Sequence, residues 1–332
     1  MFVYSTTILV LKLLDQNHIE SAMVKIIDKI LLMSGIFTVL IVWLTYVLQQ
    51  KTIVNILNRL YDVNNSLKKC RKYTLESDSF VYIFGFCNFA LCFSIAILEI
   101  IVDSKYTFIM WAAPFIVGTS VFAQYTIFLS IIVQFLKNIN KTLLKIGNLS
   151  SKNKIKVSFI SKILHEDSLI KDIYNINFDL INLCEISNQI ADFYAIPILL
   201  LTIYFVPTTT YNLYFMILSF IVNDGKDSIT LYLDCGILIF CIFLSYAALT
   251  TNVTRITREV RTTMHYIYLL SHQCTLNPKA KEVLADFSCS LIHRRLEFST
   301  YGVMNLNGSL LQNIFGTIVS YLIILLQFPH QQ

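Results

Sequence analysis

Residues 309–328 read SLLQNIFGTIVSYLIILLQF, a run without one charged side chain close to the end of the chain. As an α-helix, about 20 mainly apolar residues match the hydrocarbon core of a bilayer, which is roughly 30 Å thick. A soluble protein needs a large core to bury one uncharged helix of this length. The run therefore predicts a membrane-spanning helix, and the sequence before it repeats the pattern.

Five more uncharged runs of comparable length precede the last one. They are Ile30–Leu48, Phe80–Leu98, Phe108–Phe135, Phe193–Val222 and Cys235–Val253. The composition agrees, since 55% of the 332 residues are apolar and 14% are charged, against about 25% charged residues in soluble domains. These features exclude a disordered chain and predict an all-α, polytopic membrane helix bundle with six clear spans. Residues 1–26 are expected to form an abridged first span and an outer loop.

The positive charges lie in alternate connections between the runs. Of the 26 lysine and arginine residues, 21 lie after the first, third and fifth runs, whereas the other two connections contain only Lys105 and Lys226. Because lysine and arginine accumulate on the cytoplasmic side of membrane proteins, the three basic connections are predicted to face the cytoplasm. The C-terminus is then extracellular. The net charge of +5 needs no nucleic-acid partner, since a surface that faces lipid headgroups explains it.

The three basic connections also carry apolar residues at spacings of three and four, which is typical of amphipathic helices. We therefore expect residues 27–270 to form membrane helices with cytoplasmic helical extensions that pack as an anchor layer. The last helix is expected to be broken. Its cytoplasmic half covers residues 281–301, Gly302 and the turn formers at 305–308 interrupt it, and its membrane half covers 308–328 with Ser309 as N-cap.

Enzymatic chemistry has no support in the sequence. Motifs for nucleotide binding, metalloproteases, serine hydrolases and kinases are absent, and no ionisable residue lies in the middle of an apolar run. The protein is therefore predicted to be neither an enzyme nor a proton-coupled pump, and to hold no cofactor or metal ion. Two alternatives are a seven-helix G-protein-coupled receptor, whose orientation would be opposite to the charge pattern, and a small-molecule transporter, which should show internal repeats.

The C-terminal run resembles the signature that closes the last helix of insect gustatory receptors: Thr-Tyr, five hydrophobic residues and Gln-Phe. Here the signature reads Ser320-Tyr321, five aliphatic residues and Gln327-Phe328. The residues upstream also resemble the family, through Phe287-Ser288, His293, Phe298-Ser-Thr-Tyr-Gly302, Leu306 and Leu310-Leu311.

The resemblance implies a seven-span, plasma-membrane receptor that forms a homo- or hetero-tetrameric cation channel, opened by a small extracellular tastant and permeable to monovalent and divalent cations. The last helix would line the pore through Ser320, Tyr321, Ile324, Leu325, Gln327 and Phe328. At about 100° per residue, Tyr321 and Gln327 are rotated by roughly 240°. They mark either two levels of the pore, or a pore face and a subunit contact. A ring of Ile324 or Leu325 could gate by dewetting.

The tastant is expected to enter the outer halves of the other spans. Aromatic faces with a few fixed polar groups suit a small organic ligand. The candidates are Glu99, Trp111, Tyr204, Thr208, Tyr211, Tyr232 and Asp234. Tyr204, Thr208 and Tyr211 are separated by four and three residues, so they share one helical face and form the best-supported set.

Overall fold

The computed structural model describes residues 22–70, 73, 80–102, 112–147, 166–222, 228–273, 278–292, 296 and 298–327. Within them are eight helices and one two-stranded sheet. In chain order they are α1 (Ala22–Leu48), α2 (Gln50–Lys68), α3 (Phe80–Val102), α4 (Ala113–Gly147), α5 (Glu166–Val222), α6 (Ser228–Gln273), α7 (Pro278–Ile292), β1 (Ser299–Thr300), β2 (Met304–Asn305) and α8 (Gly308–Gln327). The all-α prediction is confirmed. Most of the predicted abridged first span, residues 1–21, lies outside the described residues.

Five of these helices are long and apolar enough to cross a bilayer. Their apolar parts are Ile26–Leu48, Ala113–Ile146, Ile170–Ile217, Cys235–His272 and Gly308–Gln327. The remaining predicted run, Phe80–Leu98, forms helix α3, whose described apolar part is the shorter segment Ile83–Ser94. Each predicted run thus corresponds to one helix.

Helix α5 is the longest element and the centre of the bundle. It has 57 residues, which is roughly 85 Å at about 1.5 Å per residue, far more than a bilayer requires. Pro197 and Pro207 lie within it without ending it, as neighbouring helices allow in a membrane bundle. It contacts α1, α2, α4, α6, α7, α8 and β1. Because α5 packs against six of the seven other described helices, it is the element through which distant sites can be connected.

The described parts of the predicted amphipathic connections are mainly helical and form a second layer at one end of the bundle, here called the basic end. It contains α2, α7 and the parts of α4, α5 and α6 that extend beyond the apolar runs. Helix α2 buries Ile56, Leu60, Val63 and Leu67, a spacing of three and four that presents one apolar stripe to α5. The other end of the bundle is called the far end.

The last helix is broken, as predicted, but its first half, α7, covers Pro278–Ile292 rather than residues 281–301, and the break contains a small hairpin. Strands β1 and β2 pair antiparallel, with Thr300 opposite Met304, and the Val303 N–H donates to the Thr300 carbonyl at 3.0 Å. Tyr301 and Gly302 have φ of 51° and 74°, and two successive positive φ values are typical of a tight type I′ turn. The hairpin therefore reverses the chain before α8 begins.

The predicted N-cap of α8 is wrong by two residues. The Oδ1 atom of Asn307 accepts a hydrogen bond from the Ser309 N–H at 3.1 Å, and the helix begins at Gly308. Asn307 is therefore the cap, since an N-cap side chain accepts from the second or third helical N–H. Asparagine and serine serve equally well in this position, so residue type alone could not separate them.

Candidate functional site

Helix α8 rests on the bundle through one narrow stripe. Leu310, Ile314 and Ile318 are its buried residues, and the helix contacts α5, α6 and β2. A spacing of four residues keeps the three side chains on one face. The rest of the helix surface is left uncovered by this chain.

The uncovered surface of α8 contains most of the polar side chains of the helix. Gln312, Asn313, Thr317, Ser320 and Gln327 are all exposed, as is Gly316. At about 100° per residue, Gln312, Gly316, Ser320 and Gln327 cluster on the side of α8 that points away from the buried stripe, Asn313 borders this cluster, and Thr317 lies next to the stripe. A Cβ atom added to Gly316 would meet nothing within 4 Å. Polar groups inside a membrane face water or protein rather than lipid, so this polar face of α8 needs a watery or protein environment.

The predicted pore residues separate into two groups on this helix. Ser320 and Gln327 belong to the polar face, and Ile324 borders it. Tyr321 and Leu325 lie three and seven residues after Ile318, so both continue the buried stripe that faces the bundle. Tyr321 is nevertheless 58% exposed. Phe328 lies outside the described residues.

A third side of α8 is apolar and exposed. Phe315 and Leu326 are 59% and 44% exposed, and they lie between the buried stripe and the polar face. Exposed aromatic and aliphatic side chains on a membrane helix are solvated by lipid or by another helix. The helix thus presents three distinct environments around its circumference.

At the far end, the predicted set Tyr204, Thr208 and Tyr211 lies along the contact between α5 and α1. Tyr204 is buried, and a Cβ atom added to Gly35 of α1 would come within 3.0 Å of its ring. The Tyr211 hydroxyl donates to the carboxylate of Asp28 on α1. The Thr208 hydroxyl donates to the Tyr204 carbonyl at 2.7 Å. The structure therefore brings Tyr204 and Tyr211 together with α1, and this group is called the α1–α5 seam.

The other predicted ligand residues are not joined to the α1–α5 seam by any described contact. Tyr232 lies half-buried near the start of α6, and Glu99 and Asp234 lie on α3 and α6. The side chains of Glu99 and Asp234, and all of Trp111, lie outside the described residues.

Sequence reasoning missed two residues at this seam and one on another face of α5. Asp28 lies two residues before the first uncharged run, and an acidic residue at the edge of a membrane span is by default a candidate functional residue. Gly35 is the one glycine of that run and permits close packing on Tyr204. The Thr209 hydroxyl is buried without a hydrogen-bond partner among the described residues, so a ligand or water molecule could bond it.

The described residues contain no group of three or more histidine, cysteine, aspartate or glutamate side chains arranged to hold a metal ion. The chemistry available at the α1–α5 seam is therefore hydrogen bonding by hydroxyl and carboxylate groups beside aromatic rings. Groups of this kind are suited to orienting a small organic ligand.

A model of the 7tm chemosensory receptor family matches residues 1–332. Gustatory receptor 28b of Drosophila melanogaster is 41% identical over 54 residues, which are 16% of this chain and 12% of that protein. The match thus spans about an eighth of that relative's length. The structure of the insect olfactory receptor OR5 from Machilis hrabei, in complex with eugenol, is similar with a TM-score of 0.63. It covers 94% of this chain and 84% of that one at 13% identity, which shows a common fold.

Proposed function

The chain belongs to the 7tm chemosensory receptor family, and on this premise we propose that it is a gustatory receptor subunit. In this proposal it is a ligand-gated, non-selective cation channel that a small extracellular tastant opens. The family makes it a receptor rather than an enzyme, and its apolar helices embed it in a membrane as a multi-pass protein.

One observation carries the channel proposal: the polar face of α8 points away from the bundle that holds the helix. Gln312, Ser320 and Gln327 are exposed there, and none of them could be solvated by lipid tails without cost. Four copies of this face around a common axis would enclose a water-filled path. The side-chain amides and hydroxyls would then replace part of the hydration shell of monovalent and divalent cations.

The same arrangement assigns roles to the other sides of α8. In a homo- or hetero-tetramer, Phe315 and Leu326 would contact a neighbouring subunit or lipid. Ile323 and Ile324 interrupt the polar face, so a ring of them would form an apolar constriction that closes the path by dewetting. Tyr321, on the bundle side, would support the helix rather than contact the ions.

The orientation proposed for the channel follows from its charges. The basic end would face the cytoplasm, the far end and the C-terminus would face outward, and the protein would reside in the plasma membrane. The α1–α5 seam, with Asp28, Tyr204 and Tyr211, is then accessible to a ligand from outside. The similar olfactory receptor was solved in complex with eugenol, which supports a small organic ligand for this chain.

Helix α5 offers a route from ligand to pore. It carries Tyr204 and Tyr211 at the seam with α1, and it also contacts α8. A tastant that replaces the Tyr211–Asp28 hydrogen bond would shift α5 relative to α1, and α8 would move with α5. The tastant favours the open state only by as much as it binds that arrangement more tightly.

Whole-cell recording tests the proposal. Cells that express the chain should respond to a panel of tastants with currents that reverse near 0 mV. Gln327→Ala should change the relative permeability of Na⁺ and Ca²⁺, whereas Leu326→Ala, its neighbour on the apolar side, should not. A response that is lost when G-protein signalling is blocked, and that keeps its permeability in Gln327→Ala, would contradict the channel proposal.

A further inference from the structure

A carboxylate lies buried at the basic end without a full set of partners. Asp179 on α5 is 1% exposed, and its Oδ2 atom has no hydrogen-bond partner among the described residues. Asp179 precedes the apolar run that begins at Phe193 by roughly 20 Å of helix, at about 1.5 Å per residue. The apolar part Ile170–Ile217 has 48 residues, whereas about 20 residues cross a bilayer core, so Asp179 lies in the extension of α5 beyond the run that begins at Phe193.

The carboxylate lines a cavity between α2 and α5. The cavity has a volume of about 290 Å³, and its lining residues are Arg59, Asp62, Val63, Ser66, Phe178, Asp179 and Asn182. Asp179 thus lies at the edge of this cavity, although its side chain is almost completely buried.

The one arginine of the cavity is already engaged. Arg59 donates to Gln189 and Glu185 at 3.0 Å each, and it forms an ion pair with Glu185. Its guanidinium group is thus held by two residues further along α5. Asp179 is left to other neighbours.

The charges that act on Asp179 come mainly from α2. Lys69, just after α2, and a hydrogen bond with Ser66 both favour the charged carboxylate. Cys70 and Tyr73 have raised pKa values because of burial, and the charge of Asp179 raises them further. Asp62 lines the same cavity, and Asp172 on α5 acts on Cys70 from the same side.

The two other elements that approach this region present uncharged groups. Helix α4 contributes the uncharged Asn138, which lies near Tyr73. Helix α7 contributes Ser290, which donates to Asn177 on α5 at 3.3 Å. Among the described residues, Lys69 is therefore the one positive charge that favours the charged form of Asp179.

We propose that Asp179 is a proton-binding site that couples the pH at the basic end to the docking of α2 on α5. A buried carboxylate with one unpartnered oxygen atom loses hydration that its neighbours do not replace. A proton removes the charge. The protonated oxygen atom can then donate a hydrogen bond to the side-chain carbonyl oxygen of Asn182 or to water in the cavity. Protonation thus stabilises the packed arrangement of α2 on α5.

The sign of the effect follows from the direction of the shift. Burial raises the pKa of Asp179 from 3.8 to about 6, although Ser66 and Lys69 oppose this. The folded state therefore binds the proton more tightly than the unfolded state does. The resulting stability is fully present below the unfolded-state pKa of 3.8 and is lost as the pH rises through about 6. Acidification from pH 7.5 to 5 should tighten the docking of α2.

This proposal rests on the proposed function in one respect only, namely that the compartment whose pH the site senses is the cytoplasm. Its test uses the purified full chain in detergent and needs no tastant, current or assembly. The thermal unfolding midpoint would be measured from pH 5.0 to 7.5 for the wild type, for Asp179→Asn and for Asp192→Asn. Asp192 is an exposed aspartate on the same helix, so its substitution controls for the loss of one charge.

Asp179→Asn should unfold at a higher temperature than the wild type at pH 7.5, and the difference should narrow steadily as the pH falls to 5, because it disappears only below the unfolded-state pKa of 3.8. Asp192→Asn should run parallel to the wild type across the range. A difference between Asp179→Asn and the wild type that is the same at every pH, or an Asp179→Asn midpoint that is lower throughout, would overturn the proposal.

Hydrogen–deuterium exchange supplies a local readout if the melting curves are dominated by other groups. After correction for the intrinsic exchange rate, peptides from Gln50–Lys68 should gain protection on acidification in the wild type and be insensitive to pH in Asp179→Asn. Peptides from α8 should show no such difference. Equal changes in α2 and α8 would contradict the coupling to α2.

Discussion

The hydroxyl of Tyr211 on α5 donates a hydrogen bond to the carboxylate of Asp28 on α1, and so joins two helices that are far apart in the chain. About two turns of α5 away, the ring of Tyr204 lies against Gly35 of the same partner helix. The two contacts fix α1 against α5 at the far end. A ligand that enters the α1–α5 seam must compete with at least one of them, which makes this seam the natural control point for α5.

Tyr211→Phe should loosen the α1–α5 seam without changing its shape. A hydrogen bond to a charged group contributes about 1.5–3 kcal/mol, and partial exposure of both side chains should reduce this to about 1 kcal/mol. We expect the unfolding midpoint to fall by about 1–2 °C and the tastant concentration for half-maximal current to change. Tyr174→Phe, an exposed tyrosine on the same helix, should change neither. Equal effects in the two variants would argue against a special role of Tyr211.

Gly118→Ala should destabilise the contact between α4 and α5. A Cβ atom there would come within 2.5 Å of Phe205 Cζ and 2.7 Å of Leu201 Cδ2. The Phe205 ring is held between Phe115 and Phe122, with centroid distances of 6.0 Å to each, so it has no room to turn away. Overpacking of this kind costs about 1–3 kcal/mol.

Gly236→Ala is the matched control for this substitution, because a Cβ atom at Gly236 meets nothing within 4 Å. Alanine in a helix is favoured over glycine by about 0.5–1 kcal/mol, so Gly236→Ala should unfold at the same or a higher temperature. Fluorescence-detected melting in detergent separates the two variants. A Gly118→Ala protein as stable as Gly236→Ala would show that α4 and α5 lie further apart than described.

Asn140→Ala should weaken the junction of α4 and α6 at the basic end. The Asn140 amide donates to the carbonyl and the carboxylate of Glu259, at 3.0 Å each. The Thr263 hydroxyl donates to Asn140 Oδ1 at 2.7 Å. Since Asn140 and Thr263 are buried, the loss should be about 2 kcal/mol. Asn55→Ala, at an exposed asparagine of the basic end, should have little effect on the unfolding midpoint. A midpoint in Asn140→Ala as high as in Asn55→Ala would refute the contribution of this network.

An epitope tag at each end of the bundle tests the proposed orientation. A tag after Gln332 should bind antibody on intact cells, because the alternation of basic connections predicts an extracellular C-terminus. A tag between α6 and α7 should bind only after the membrane is permeabilised. If only the tag between α6 and α7 bound antibody on intact cells, the proposed orientation would be wrong and a receptor with a cytoplasmic C-terminus would be favoured.

The helices could be predicted because charge and apolar character change sharply along the chain. The run Phe193–Val222 ends where charged residues begin. In α4, Ile139 and Leu143 are buried between Lys137, Lys141 and Lys145, so an apolar stripe continues beyond the uncharged run. The hairpin around Tyr301 was less visible. The left-handed conformation of a tyrosine depends on its neighbours, and Gly302 alone indicates only some kind of turn.

The two candidate sites, the α1–α5 seam and the polar face of α8, could be predicted in part, and for the same reason. Helical periodicity placed Tyr204, Thr208 and Tyr211 on one face and separated Tyr321 from Gln327. It could not say which of those faces meets another helix. Asp28, Gly35 and the bundle-side position of Tyr321 depend on contacts between helices that are distant in sequence, so they required the structure.

The central claim is that the polar face of α8 lines a water-filled path. Cysteine accessibility tests it most directly, in a background where the exposed Cys87 and Cys289 are replaced by serine. Ser320→Cys lies on the polar face and Leu326→Cys on the apolar side, nearer the end of the helix. Because Leu326 is closer to the outside in the proposed orientation, simple depth would favour its modification.

A positively charged thiol reagent applied from outside should therefore block the tastant-evoked current of Ser320→Cys, and faster when the tastant is present. The current of Leu326→Cys should be unchanged. Rapid block through Leu326→Cys, with Ser320→Cys insensitive at the same surface expression, would contradict a pore lined by this face of α8.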